Sequence, residues 1–227
     1  DSAGNTSAAS DTLSLVVDLT PPTITLTGAD VIVAHSGSYT DPGVTAQDTV
    51  DGSVTVNVSH AVDASSVGTY TVSYTASDSA GNSSTASRTV SITDQAPPVI
   101  TMAGTAAVTV EAATSYLDTG ASASDAVDGN ITGTVVTVNP INATTLNQPE
   151  TYTVTYTSTD TAGNTVTATR TVNVVDTTKP EITLLGNATE TVEAKGSYTD
   201  AGASASDTLD GSLSVSSVSS VNTEAVG

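Results

Sequence analysis

The chain lacks cysteine, tryptophan and phenylalanine, and only four of its 227 residues are lysine or arginine. Without cysteine it has neither disulfides nor thiol-ligated zinc or iron. Four basic residues cannot form the positive surface that binds phosphate backbones, which excludes nucleic acid as a partner. No apolar run is long enough to cross a bilayer, so we expect no membrane insertion by these residues and place any export signal or anchor outside them.

The residues that are present are typical of small β domains. Threonine, serine, valine and alanine dominate, aromatic residues make up 3% of the chain, and the formal net charge is −20. β-Branched side chains suit pleated strands. Because so few large apolar residues cannot fill one large core, the composition favours several small domains over a single one.

The sequence repeats itself. DTVDG at 48–52 returns as DAVDG at 125–129 and as DTLDG at 207–211, while DSAGN at 78–82 returns as DTAGN at 160–164. Self-similarity at a fixed period predicts one domain type in tandem. The predicted divisions are the C-terminal strand of a preceding repeat at 1–18, a first complete repeat at 19–94, a second at 95–176, and the N-terminal part of a third at 177–227.

The incomplete ends have two interpretations. The chain is either a stretch of a longer array, or a donor-strand subunit in which a terminal strand completes the truncated domain of the next copy.

Within a repeat the periodicity is that of strands. In TYTVTYT, Tyr152, Val154 and Tyr156 fall on one face and the threonines on the other, and the run after DTAGN alternates in the same way. Two such runs joined by a Gly-Asn turn predict a hairpin. Six to eight short strands in each repeat, with no helical period, predict an antiparallel β-sandwich.

Tyrosine and arginine recur at fixed repeat positions. The seven tyrosines fall at three positions and, in a core this poor in aromatics, we expect them to be the main packing residues. A sugar-stacking surface is the alternative. Arg88 and Arg170 lie on the same face of their strand as the apolar residues. We therefore expect the aliphatic part of each side chain to pack in the core and each guanidinium to reach an acid at the sheet edge.

The blocks PPTITLTG, SYTDPGVTAQDTVDG, VGTYTVSYTASDSAGN and TASRTVSITD, in this order, resemble bacterial immunoglobulin-like repeats. They are similar to the hyalin-repeat type and to the tandem domains of very long surface adhesins. The resemblance covers the whole chain and implies an all-β fold of tandem immunoglobulin-like antiparallel β-sandwich domains, arranged end to end. It also implies an extracellular, cell-surface location, but no particular ligand.

The aspartates recur at more regular positions than solubility alone would require. Of the 18 aspartates, 15 occupy five repeat positions with three copies each. In an immunoglobulin-like sandwich the incoming linker arrives beside the B–C and F–G loops, where DTVDG and DSAGN belong. We therefore expect linker and loop acids to converge at each junction. The predicted ligands are Asp18, Asp48, Asp51, Asp78 and Asn82 in the first repeat; Asp94, Asp125, Asp128, Asp160 and Asn164 in the second; and Asp176, Asp207 and Asp210 in the third.

Carboxylates this close repel one another unless a cation neutralises them. Calcium takes six to eight oxygen ligands in flexible geometry, so the predicted cofactor is Ca2+. The spacing is not that of an EF-hand loop, and the hypothesis therefore depends on convergence. The alternative is that each aspartate only caps its own turn.

Two further acidic positions repeat. Asp41, Asp118 and Asp200 open the strand before DTVDG or its copies, where a turn role or an ion pair with Arg88 and Arg170 is as reasonable as a metal. Glu111 and Glu193 also repeat, but His35 takes their place in the first copy, which argues against a shared role.

We interpret the chain as non-enzymatic, because a catalytic site would not recur at every junction. The main hypothesis is a structural spacer or stalk of an extracellular adhesin, biofilm filament or other surface fibre, rigidified by calcium at domain junctions. Its partners are the neighbouring repeats and, in a fibre, other copies of the chain. A glycan- or protein-binding immunoglobulin-like module and an accessory array of a secreted hydrolase are the alternatives.

Overall fold

The computed structural model describes residues 2–4 and 17–224, in two compact units, Asp1–Gln95 and Ala96–Gly227. The strand predicted within residues 1–18 lies outside the described residues, and the division into repeats stays a prediction. The described part is almost entirely β, with short 3₁₀ turns at Thr132–Thr134 and Thr145–Asn147. None of the described helical segments is long and apolar enough to cross a membrane.

The first unit folds into two sheets. Its strands are β1 (Thr23–Leu26), β2 (Val31–Ala34), β3 (Val44–Asp48), β4 (Gly52–Val54), β5 (Val56–Ser59), β6 (Gly68–Ser77) and β7 (Ser83–Thr93). One sheet has the order β1–β3–β4 and the other β2–β7–β6–β5. Strands β2 and β7 run parallel, and the other neighbours are antiparallel.

The second unit repeats this arrangement and adds a three-stranded sheet. Its strands are β8 (Val99–Met102), β9 (Ala107–Glu111), β10 (Ala121–Asp125), β11 (Gly129–Asn130), β12 (Val136–Val138), β13 (Thr151–Thr159), β14 (Thr165–Val175), β15 (Glu181–Leu184), β16 (Ala203–Asp207) and β17 (Gly211–Leu213). The sheet orders are β11–β10–β8, β12–β13–β14–β9 and β15–β16–β17, with β9 parallel to β14.

The predicted all-β fold of tandem immunoglobulin-like sandwiches is confirmed. The four-stranded sheets are mixed, whereas the sequence predicted purely antiparallel ones. The difference arises because the first strand of each repeat is split in two. Its second half, β2 or β9, crosses to the opposite sheet and lies parallel to the last strand.

The DTVDG segment forms a tight hairpin turn. Strands β3 and β4 pair in the same sheet, with Asp48 opposite Gly52, and the chain passes to the other sheet only after Val54. Gly52 has a φ of +73°, a left-handed conformation that glycine adopts without steric cost. The segment is therefore a hairpin within one sheet, and the crossing to the other sheet follows it.

The cores are built from the predicted tyrosine and valine positions, which alternate with less buried threonine and serine along β6 and β13. Side chains of the facing three-stranded sheet, such as Ile24 and Ile100, pack against them. The large buried apolar residues of the long hairpins are Val72, Tyr74, Val90 and Ile92 in the first unit, and Val154, Tyr156, Val172 and Val174 in the second.

Both arginines are buried, as their phase predicts, but they have different partners. Arg170 is 1% exposed and forms an ion pair with Asp118, which confirms the predicted acid partner. Arg88 donates instead to main-chain carbonyl oxygens, at 2.7 Å to Thr27 and 3.2 Å to Gly43. In the first unit the predicted acid is therefore replaced by backbone carbonyl groups.

Two repeated aspartates accept hydrogen bonds from buried tyrosines. Tyr74 Oη donates to Asp41 Oδ2 at 2.7 Å, and Tyr156 Oη donates to Asp118 Oδ1 at 2.6 Å. Burial is the largest influence on both carboxyl groups and opposes their ionisation. Hydrogen bonds and the nearby arginine charge together outweigh burial and lower the pKa of Asp41 and of Asp118. Burial also raises the pKa of Tyr74 to about 12.

These lowered pKa values predict acid lability. Because the folded pKa of each carboxyl lies below its unfolded value, the stabilisation is complete above an ordinary aspartate pKa of about 4 and is lost as pH falls through the folded pKa. We expect the melting temperature to hold between neutral pH and about pH 5 and then to fall steeply. Thermal melts across this range measure it. Asp41→Asn and Asp118→Asn should each flatten the profile, and an acid profile unchanged in both variants would contradict the assignment.

Candidate metal centres at the Asp-rich turns

Three carboxylates from separate segments meet at one end of the first repeat. Asp18 lies in the segment before β1, Asp48 ends β3, and Asp78 follows β6. One carboxylate oxygen from each residue lies within 4.8 Å of the others. The convergence expected from linker and loops is therefore present for these three residues, which we call the first Asp group.

Local hydrogen bonds fix the two loop carboxylates. Asp48 Oδ1 accepts from the amides of Val50 at 2.7 Å and Asp51 at 3.0 Å, and these bonds lower the pKa of Asp48. Asp78 accepts from the amide and the side-chain nitrogen of Asn82, each at 2.8 Å. Each carboxylate is thus held at a defined position.

The linker is tied to the DSAGN loop. Asp18 Oδ1 accepts from the amide and the hydroxyl of Thr20, whereas Asp18 Oδ2 is buried and has no hydrogen-bond partner among the described residues. Asn82 Nδ2 also donates to the carbonyl of Asp18 at 3.2 Å. A buried carboxylate oxygen without a donor is the expected feature of a position that a cation completes.

Asp51 is placed differently from the prediction. Its two oxygens accept from the amide of Ser79 at 2.6 Å and from the Ser79 hydroxyl at 2.9 Å. Asp51 therefore clamps the DTVDG turn to the DSAGN turn, and its role as a ligand stays a prediction. Sequence analysis missed the serine, although a hydroxyl residue follows the first aspartate in both DSAGN and DTAGN.

The second repeat has the same geometry. Asp125 Oδ1 accepts from the amides of Val127 and Asp128, and Asp160 accepts from the amide and side chain of Asn164. The oxygens of Asp125 and Asp160 lie within 4.8 Å. Asp128 is clamped to the amide and hydroxyl of Thr161, each at 2.7 Å, as Asp51 is to Ser79.

Asp94 follows β7 at the end of the first unit. Its predicted place beside Asp125 stays a prediction.

A third Asp group contains Asp176, Asp207 and Asp210, whose oxygens lie within 4.8 Å of one another. Asp176 follows β14, and Asp207 ends β16. Asp207 Oδ1 accepts from the amides of Leu209 and Asp210, whereas its Oδ2 is buried and has no hydrogen-bond partner among the described residues. Here Asp210 joins the group, unlike Asp51 in the first repeat.

The donor set of these groups fits a hard cation. The side-chain atoms brought together in these groups are carboxylate oxygens, which calcium and magnesium prefer, whereas zinc and copper commonly bind nitrogen or sulfur atoms. Within residues 17–95 none of the carboxylates of the first Asp group forms an ion pair with a basic side chain. Asp18, Asp48 and Asp78 would hold the cation in the first repeat, and it would supply the positive charge that these carboxylates otherwise lack.

Known proteins resemble this chain in sequence. The family model described as "Bacterial surface protein, Ig-like domain" matches residues 24–92 and 100–174. Hyalin from Lytechinus variegatus is 34% identical over 213 residues, which cover 85% of this chain and 39% of hyalin. Hyalin from Strongylocentrotus purpuratus is 29% identical over 208 residues, which cover 85% of this chain and 17% of hyalin. The chain thus spans less than half the length of these curated relatives.

Two solved structures show only distant likeness. Protocadherin Gamma B2 extracellular cadherin domains 3–6 are 16% identical with a TM-score of 0.37, covering 86% of this chain and 56% of that one. The M60 catalytic domain with two CBM51 domains from Clostridium perfringens ZmpB is 14% identical with a TM-score of 0.38, covering 83% and 36%. Neither likeness bears on function. The family match, which covers more than half of the chain, shows that the chain belongs to the bacterial surface protein Ig-like domain family.

Proposed function

We propose that this chain is a stretch of an extracellular stalk in an adhesion-type surface protein, whose repeats are stiffened by calcium bound at the linkers. The observation that carries the proposal is the first Asp group. A linker carboxylate and two loop carboxylates converge within 4.8 Å, and one oxygen of Asp18 is buried with no hydrogen-bond donor among the described residues.

The attachment of the linker supports a mechanical role. Asn82 bonds to the Asp18 carbonyl, and Ser84 Oγ donates to the carbonyl of Pro22 at 2.5 Å, so the linker is already held against the repeat. A cation that binds both linker and loops would add charge-neutralising contacts to this attachment. Proline in the linker also restricts its backbone. Membership of a family of surface proteins supports the extracellular location.

The position of the aromatic residues favours a spacer over a glycan-binding module. Tyr74 and Tyr156 are fully buried. Tyr70 and Tyr152 direct their hydroxyl groups to main-chain carbonyls four residues earlier, Ser66 and Gln148 respectively. These side chains are therefore engaged in packing and turns, where they offer no platform for a sugar ring.

Calcium titration tests the proposal. Extracellular sites of this kind bind at about 10⁻⁴ to 10⁻³ M, so about 10 mM CaCl2 should add roughly 1–3 kcal/mol to the unfolding free energy at each occupied site. We expect the melting temperature to rise with calcium and to return with a chelator. Small-angle scattering of the same samples should report a narrower distribution of chain dimensions when calcium is present.

Two double variants with the same change in net charge distinguish calcium binding at a site from general screening of negative charge. Asp48→Asn with Asp78→Asn should lose the calcium response of the first repeat. Asp30→Asn with Asp63→Asn removes the same charge from positions outside the Asp groups and should keep it. An absent calcium response in the unaltered protein, or an equal loss in both double variants, would show that the aspartates serve only as turn residues.

A further inference from the structure

Glu111 lies where the chain leaves the second repeat. It is the last residue of β9 and lies opposite Val175, the last residue of β14. Because these strands run parallel, both end at the same edge of the sheet, and the linker begins there. The Glu111 side chain is therefore in reach of the first linker residues.

The Glu111 carboxylate accepts four hydrogen bonds from two linker threonines. Thr177 donates its amide to Oε1 at 2.7 Å and its hydroxyl to Oε2 at 2.8 Å. Thr178 donates its amide at 3.0 Å and its hydroxyl at 2.8 Å, both to Oε1. The bond from the Thr177 amide contributes most to lowering the pKa of Glu111. We call this contact the Glu111 latch.

An apolar contact accompanies the latch. Leu209, between Asp207 and Asp210 in the DTLDG turn, packs against Ala112, Leu146 and Val174 of the second repeat. The turn and the linker are therefore both held against the end of the second repeat. Asp176 immediately precedes the latched threonines.

We propose that Glu111 is the positioning residue of the third Asp group: by holding Thr177 and Thr178, it sets Asp176 beside Asp207 and Asp210 before a cation binds. The proposal rests on the calcium function proposed above. Ligands that are already in place lose less conformational freedom on binding, and removing such outer contacts commonly weakens metal affinity 10- to 100-fold.

Strand register shows why this role was missed in the sequence. The expectation that His35 takes the place of Glu111 in the first copy is wrong by one residue. Ala34 pairs with Thr93 in the first repeat in the same way that Glu111 pairs with Val175 in the second, so Ala34 is the counterpart of Glu111. The turn that follows agrees with this alignment, because the non-glycine residues of positive φ in the described part of the chain are Ser36, Ala113 and Lys195, one at the same position of each repeat. The first repeat thus has alanine at the latch position, whereas Glu193 keeps the carboxylate in the third.

Glu111→Ala tests the latch in the full chain, with Glu193→Ala as a control of the same residue type and repeat position. Without calcium, amide exchange followed by NMR should show protected Thr177 and Thr178 amides in the unaltered protein and in Glu193→Ala, and faster exchange in Glu111→Ala. In a calcium titration followed at the resonances of Asp207 and Gly211, the apparent Kd should rise roughly tenfold or more in Glu111→Ala only.

The outcomes distinguish this inference from the proposed function. Unchanged calcium affinity in Glu111→Ala, with calcium still bound by the unaltered protein, would overturn the positioning role. Failure of the unaltered protein to bind calcium would overturn both, while amide exchange in chelator would still decide whether the latch exists. If Glu111→Ala unfolds the repeat, Thr177→Val with Thr178→Val removes two of the four bonds and should give a smaller change in the same direction.

Discussion

Arg170→Met should destabilise the second repeat by about 3–5 kcal/mol, because it leaves the Asp118 carboxylate buried without its cation. Arg170 is 1% exposed and Asp118 10% exposed, so water cannot easily replace the lost partner. The guanidinium also donates to the carbonyls of Ala103 and Thr105 and lies 5.6 Å from the centre of the Tyr156 ring. Urea unfolding gives the free energy, and hydrogen exchange by mass spectrometry should locate the loss of protection in residues 99–175.

Two companion variants separate charge burial from lost packing. Asp118→Leu combined with Arg170→Met removes both charges and should recover much of the stability, because a buried pair can often be replaced by apolar groups at little cost. Lys179→Met removes an exposed positive charge from the same unit and should change stability by less than about 0.5 kcal/mol. A double variant no more stable than Arg170→Met would argue that packing of the arginine stem dominates.

Tyr74→Ala should have an effect of similar size on the first repeat, about 3–5 kcal/mol, by analogy with other large aromatic truncations. Tyr74 is fully buried among Val72, Val90 and Ile92 in a chain that has no phenylalanine or tryptophan to fill the gap. The variant also removes the donor to Asp41. Hydrogen exchange should rise across residues 23–93 and stay unchanged across residues 99–175.

Tyr198→Ala is the matched control, since Tyr198 is 36% exposed. It should cost much less stability, because its side chain leaves a smaller cavity and loses less buried area. Equal destabilisation by Tyr74→Ala and Tyr198→Ala would contradict the central packing role given to Tyr74. A loss of protection that spread into both units would show that the two repeats unfold together.

The strand pattern and the core could be predicted from sequence because both depend on local alternation. The phase of Tyr152, Val154 and Tyr156 along TYTVTYT fixes which side chains point inward, whatever the sheet order. The same phase predicted that Arg88 and Arg170 are buried. It could not distinguish their partners, because whether an acid or a carbonyl lies opposite the guanidinium depends on packing between sheets.

Convergence of the acids was partly predictable. The position of Asp18 before the first strand, and of Asp48 and Asp78 at the ends of later strands, follows from topology once the fold class is assumed. The clamp from Asp51 to Ser79 does not, because two turns separated by 28 residues meet only through tertiary structure. The Glu111 latch was not predicted, for a related reason. Alignment of the repeat sequences placed the counterpart of Glu111 in the first repeat one residue away from its true position, and only the strand register corrects this.

The parallel pairing of β9 with β14 has a consequence for load. Tension along the chain pulls the start of β9 and the end of β14 in opposite directions, so the two strands are sheared along their axes. Their five facing pairs, from Ala107 opposite Thr171 to Glu111 opposite Val175, must then give way together. An antiparallel hairpin pulled at its open end would instead separate one bond at a time. The split first strand thus gives the first and second repeats a parallel strand contact that resists extension.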